Sequence, residues 1–159
     1  MMHSQNGVLS KYGPLVARIL MAILFLFSGI GKVTGFAGTV GYIDSVGIPM
    51  ATVVAVLAII VELAGALFLL IGWQGRLGAW LLFAYTGLAA VLFHTNFADQ
   101  TQMVMFLKNL SIMGGLLMFA LKGTGPLSVG CTCCGKYCLD CKNCEQCKDR
   151  TYTTHTKQS

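Results

Sequence analysis

The sequence predicts an all-α integral membrane protein: an antiparallel four-helix bundle with a Cys-rich cytoplasmic tail. Three observations carry this. Apolar residues make up 55% of the 159 residues and charged residues 11%, against about 25% charged in a soluble domain. Four apolar runs each approach the length of about 20 residues that crosses a hydrocarbon core. All seven cysteines fall between Cys131 and Cys147, outside the apolar part. So little polar material cannot cover a soluble surface, and so much apolar material excludes a disordered chain. The net charge of +5 would suit a nucleic-acid binder if Lys and Arg shared one soluble face. They stand instead at the ends of apolar runs and in the tail, where they act as topology signals. The expected partner is therefore the lipid bilayer and no nucleic acid.

Residues 1–13 form a polar N-terminal segment. The first run, 15–32, is longer than the apolar part of a signal peptide, contains Arg18 and lacks a following A-x-A site, so it reads as a retained span. The connection from Val33 to Pro49 carries aromatic and aliphatic residues around Phe36 to Ile43 and suits a short interfacial helix. The second span, 50–72, and the third, 77–94, are joined by Trp73 to Arg76, too short for anything but an antiparallel hairpin. The fourth span is 103–121. Residues 14–127 thus make the bundle, 128–150 a Cys-rich metal-binding tail and 151–159 a disordered end. One side carries Lys11, Arg18, Arg76, Lys122 and the basic tail; the other has Asp44 and Asp99, with Lys32 its lone cation. By the positive-inside rule both termini are cytoplasmic, in a multi-pass protein of the cell inner membrane.

Ionisable groups inside a span are costly and face the bundle interior. Helical spacing places Arg18, Ala22, Phe25, Gly29 and Lys32 on one face of the first span. It likewise groups Ala55, Ala58, Glu62 and Gly65; Gly87, Ala90 and His94; and Lys108, Ser111 and Gly115. Each polar group sits on a stripe of small residues, the kind that marks close helix contacts in membranes. At about 1.5 Å per residue, Lys32 and His94 lie near the outer surface, Lys108 below it, Glu62 near mid-membrane and Arg18 one turn above the inner surface. Two readings stand for each group. Arg18 and Lys32 either snorkel to the surfaces or point inward, where Arg18 can pair with Glu62. Glu62 either fixes packing as an ion pair or relays protons. His94 either caps its span or titrates at a pocket mouth. Lys32, His94 and Lys108 together would form a cationic pocket for a small anion or a quinone head group.

The tail places Cys131, Cys133, Cys134, Cys138, Cys141, Cys144 and Cys147 close together, the last four as C-x2-C-x2-C-x2-C. In a reducing compartment such thiols resist disulfide formation and suit Zn, Cu(I) or an iron–sulfur cluster. On a regular helix, steps of three would splay Cys138 and Cys147 to opposite sides, so one shared metal requires a looped backbone. The spacing departs from the C-x2-C-x2-C-x3-C-P run of bacterial ferredoxins and from paired C-x2-C zinc sites. A multi-ion thiolate cluster, a thiol relay and an unliganded tail are the other readings.

The stretch from Arg18 through Ser28-Gly29-Ile30-Gly31-Lys32, then Glu62-Leu63-Ala64-Gly65, Phe93-His94 and Phe106-Leu107-Lys108-Asn109, resembles the DoxX family, including the DoxD subunit type of thiosulfate:quinone oxidoreductase. The resemblance covers roughly Leu15 to Leu127 and implies a small four-helix membrane protein of redox or sulfur metabolism that works with a partner subunit. The Cys-rich tail departs from the family's usual short ending. The expectation is a quinone-linked oxidoreductase subunit, with Glu62, His94 and Lys108 as catalytic groups. Arg18, Lys32 and Asn109 would contact the quinone or a small anionic substrate, and the tail would hold a metal. The alternatives are a non-catalytic membrane protein that handles a soft metal through its tail, and an assembly or partner-docking subunit.

Overall fold

A computed structural model describes residues 7–125 and 127–129, with side chains from Tyr12 onward. The described residues form five helices: α1 (Gly7–Thr34), α2 (Phe36–Ser45), α3 (Ala51–Ile71), α4 (Gly75–Phe93) and α5 (Gln100–Lys122). Four of them, α1, α3, α4 and α5, are long and apolar enough to span a membrane. The short α2 occupies the first connection, where the apolar pattern around Phe36 to Ile43 placed it. The seven cysteines and the end of the chain lie outside the described residues.

The helix boundaries follow local chemistry. Helix α1 begins ahead of the expected span and runs through Pro14. Helix α3 stops at Gly72, whose φ of 78° lets its N–H close onto the Phe68 carbonyl, a conformation only glycine adopts without cost. The chain re-enters α4 after Trp73 and Gln74, giving the antiparallel hairpin that so short a link demands. Asp99 starts α5 by accepting a hydrogen bond from the Thr101 N–H at 2.8 Å, which satisfies one of the first-turn donors.

Neighbouring helices pack in the order α1, α3, α4, α5, with α2 laid against α1 and α3. Small residues permit the close contacts. A Cβ on Gly78 would stand 2.9 Å from the Gly65 carbonyl oxygen, and one on Gly29 2.7 Å from Leu63 Cδ2. One core cluster, at the Arg18 end, joins Phe25, Leu69, Leu82, Leu116 and Phe119. A second, at the Lys32 end, joins Ile43 of α2 to Ala51 and Ala55 of α3. Large apolar side chains face outward, among them Leu20, Phe27, Leu88 and Leu121. Such a surface is stable only against lipid, where the outside need not be polar.

Three of the four expected stripes hold: Ala22, Phe25 and Gly29, then Ala55, Glu62 and Gly65, then Ala90 are buried. The stripe expected on α5 is corrected. Lys108 and Ser111 are exposed, and the inward face carries Asn109, Leu116, Phe119 and Ala120. The expected stripe of Lys108, Ser111 and Gly115 contains no large apolar side chain. Packing turns the helix by about one residue, 100°, to bury the bulkier apolar row.

Candidate functional site

The first polar centre lies toward the Lys32 end. The Lys32 ammonium donates to both carboxylate oxygens of Glu62, each at 2.9 Å. It also donates to the Ser28 hydroxyl at 2.7 Å, and Ser28 donates to Glu62 Oε1 at 3.2 Å. Glu62 is 3% exposed, so its charge is compensated by these partners and not by solvent. The Tyr85 hydroxyl faces the same carboxylate from α4. The direction of the side chains explains the pairing. Helical side chains lean toward their own N-terminus, so Lys32, near the end of α1, leans back into the bundle.

The same rule overturns the Arg18–Glu62 pair. Arg18, near the start of α1, leans toward its own end of the bundle. There its guanidinium donates to the carbonyls of Thr124 at 3.0 Å, Leu127 at 2.9 Å and Leu70 at 3.3 Å. It is 2% exposed and ties the start of α1 to the end of α3 and to the segment after α5. A second tie joins the Val129 N–H to the Ile71 carbonyl. Arg18 thus fastens the end of the bundle and takes no part in the cavity.

A cavity of about 400 Å³ opens beside the Lys32–Glu62 pair, within the range of about 300–1,000 Å³ typical of small-molecule sites. Most of its wall is apolar, including Leu24 and Phe27 of α1 and Leu88 and Leu92 of α4. These four are exposed at membrane depth, so the cavity opens sideways toward lipid. Tyr42 of α2, stacked on Phe93 at 5.4 Å between ring centroids, closes one end. The structure brings five of the six sequence-selected bundle residues to this cavity: Lys32, Glu62, His94, Lys108 and Asn109. It leaves out Arg18.

The three-cation pocket is also corrected. Lys32 is neutralised by Glu62, and His94 Nδ1 lies 2.7 Å from Gln102 Oε1, linking the end of α4 to the first turn of α5. Lys108 stands exposed at the rim, its ammonium 3.2 Å from Met105 Sδ. The interior is therefore polar without a strong excess of positive charge.

Sequence reasoning missed Ser28, Tyr85 and Thr86 as wall residues. Ser28 stands one turn before Lys32 and Thr86 one turn before Ala90, so helical spacing carried a signal for both. Tyr85 lies off the stripe and had none. Among the described residues, no group of three or more His, Cys, Asp or Glu side chains gathers into a metal site.

Comparison with known proteins places the chain among membrane proteins. The DoxX family model matches residues 13–95. Inner membrane protein YqjF of Escherichia coli (strain K12) is 45% identical over 121 residues, which cover 76% of this chain and 92% of that protein. Inner membrane protein YphA of the same organism is 37% identical over 120 residues, covering 72% of this chain and 86% of the relative. CatD of Bacillus subtilis (strain 168), whose name carries a provisional oxidoreductase assignment, is 33% identical over 84 residues, covering 52% of this chain and 59% of its own. No solved structure matches the chain.

Proposed function

The chain belongs to the DoxX family as a multi-pass membrane protein, and on that premise we propose that it is a quinone-binding subunit of an inner-membrane oxidoreductase. The observation that supports this reading best is the Lys32–Glu62 pair with Ser28 and Tyr85, set in the wall of an apolar cavity open to lipid. A quinone is an apolar molecule with a polar head and reaches its site through the bilayer. Its uptake of two electrons and two protons yields the quinol, so the site must deliver protons at membrane depth. Glu62 and Lys32 are exchangeable proton carriers there, and His94 and Lys108 lie between them and the surface. The electrons come from a donor outside the bundle. Thiosulfate is one such donor, two of which join as tetrathionate with release of two electrons. An uncharged head group suits the interior of the bundle better than an anion, because the cation there, Lys32, is matched by Glu62 and Lys108 stands out at the exposed rim.

The inner-membrane relatives and the positive-inside pattern support a cell inner-membrane location with both termini cytoplasmic. The seven tail cysteines are proposed to hold Zn, Cu(I) or an iron–sulfur cluster on that side, and a partner subunit is proposed to complete the electron path. A bound iron–sulfur cluster would supply one-electron transfer; Zn would supply a structural knot.

The test is calorimetric titration of the purified full chain in detergent with decylubiquinone. Micromolar binding is expected, weakened at least tenfold in both Lys32→Met and Glu62→Gln. Absence of binding to the unaltered chain overturns the reading. A metal-handling protein without quinone chemistry is the second reading, favoured by the density of the tail thiols. It predicts that thiosulfate-dependent quinone reduction is absent from membranes containing the chain, while metal uptake depends on residues 131–147.

A further inference from the structure

The cavity has a second polar wall, on the side away from α1. Asn109 of α5 is 9% exposed, lines the cavity, and makes no side-chain hydrogen bond to another described residue. Beside it on α4, Thr86 is 4% exposed and its buried hydroxyl has no partner among the described residues. Thr86 also lines the cavity. Buried polar groups are nearly always hydrogen bonded, and an unpaired one costs free energy unless something completes it. A buried unpaired hydroxyl at Thr86 and an unbonded carboxamide at Asn109, on adjacent helices and lining one cavity, therefore mark a place that a ligand can complete. Among the described residues Arg18 Nε is also buried without a partner, but it lies outside the cavity; within the cavity Lys32, Ser28 and Glu62 already bond one another.

We infer that Asn109 is a specificity-determining contact, its carboxamide hydrogen bonding the second oxygen function of a head group whose first oxygen lies at the Lys32–Glu62 pair. This rests on the quinone reading and narrows it to a class: an apolar-tailed head with two oxygen functions on opposite edges, as in a 1,4-dione. Asn109 reads the far oxygen by donating from its amide, and Thr86 adds a donor once the head group fills the cavity. A head group with a single carbonyl leaves the Asn109 wall unpaired. The discrimination follows from that asymmetry, since a site built to hydrogen bond a substrate group rejects the analogue lacking it.

The experiment titrates the full chain in detergent with two probes of equal tail, 2-decyl-1,4-benzoquinone and 2-decylcyclohex-2-enone. The unaltered chain is expected to bind the dione at least tenfold more tightly. Asn109→Leu is expected to remove most of that preference by weakening the dione alone, with enone binding reporting that the variant is folded. Thr86→Val, which keeps the side-chain shape, is expected to produce a smaller loss in the same direction. Equal affinity of the unaltered chain for both probes overturns the inference and leaves the quinone reading standing. So does an Asn109→Leu variant that keeps its preference or weakens both probes alike. Failure of the unaltered chain to bind either probe overturns both.

Discussion

Lys32 and Glu62 form a closed ion pair inside the membrane-spanning bundle, with the ammonium at 2.9 Å from both carboxylate oxygens. The pair joins the end of α1 to the middle of α3, so two helices are fixed in rotation and in depth by one contact. It also sets the electrostatics of the inner part of the cavity, because the cation there, Lys32, is already matched by Glu62.

Removing Lys32 leaves Glu62, 3% exposed, as a buried unpaired charge, whereas Lys32 itself is 26% exposed. Lys32→Met is expected to destabilise the bundle by about 3–5 kcal/mol, the usual cost of orphaning one member of a buried pair. Lys32→Met with Glu62→Gln is expected to recover much of that loss. Thermal unfolding of the two single variants and the double variant in one detergent checks it; additive losses would mean that the two side chains are not coupled.

Arg18 donates to three backbone carbonyls, those of Leu70, Thr124 and Leu127. Arg18→Leu is expected to cost about 2–4 kcal/mol, since charged hydrogen bonds are the strong ones and the orphaned carbonyls stay buried. Arg18→Lys is expected to restore little, because an ammonium cannot span acceptors placed for a planar fork. Limited proteolysis supplies a second readout: cleavage after Lys122 should quicken in both variants.

Helices α3 and α4 approach through backbone at Gly78, where an added Cβ meets the Gly65 carbonyl oxygen at 2.9 Å. A backbone atom cannot swing aside, so Gly78→Ala is expected to cost about 1–3 kcal/mol. Gly114→Ala, where a Cβ meets nothing within 4 Å, is expected to be neutral. Melting temperatures of the pair measured side by side decide the point.

The tail is expected to carry metal independently of the bundle. The full chain purified without oxygen should contain Zn, Cu or Fe, and a chain ending at Val129 should contain none. Because Thr124 and Leu127 remain to bond Arg18, the shortened chain should melt within about 2 °C of the intact one, the effect of a few tenths of a kcal/mol. A membrane-impermeant maleimide should reach the tail thiols only from the cytoplasmic side. Labelling of intact cells would reverse the proposed orientation.

Composition alone was enough to place the chain in a membrane, because an apolar exterior is tolerated only by lipid. The four spans were legible because each helix must run about 20 residues to cross the core, and the α2 segment because its apolar residues cluster in an otherwise short link. The polar residues that meet at the cavity were legible too, since burying an ionisable group in a span is too costly to be incidental. Partner choice was not legible. Periodicity sorts residues into faces of one helix and says nothing of how that helix is rotated against its neighbours. Packing decided that Asn109 faces inward and Lys108 lies at the rim. The lean of helical side chains, acting with the depths of α1 and α3, decided that Glu62 pairs with Lys32 and that Arg18 binds the chain end. The sequence by itself determined the class, the spans and the roster of polar groups; the tertiary structure decided which of them meet, because a contact between helices depends on rotation and depth that no single helix encodes.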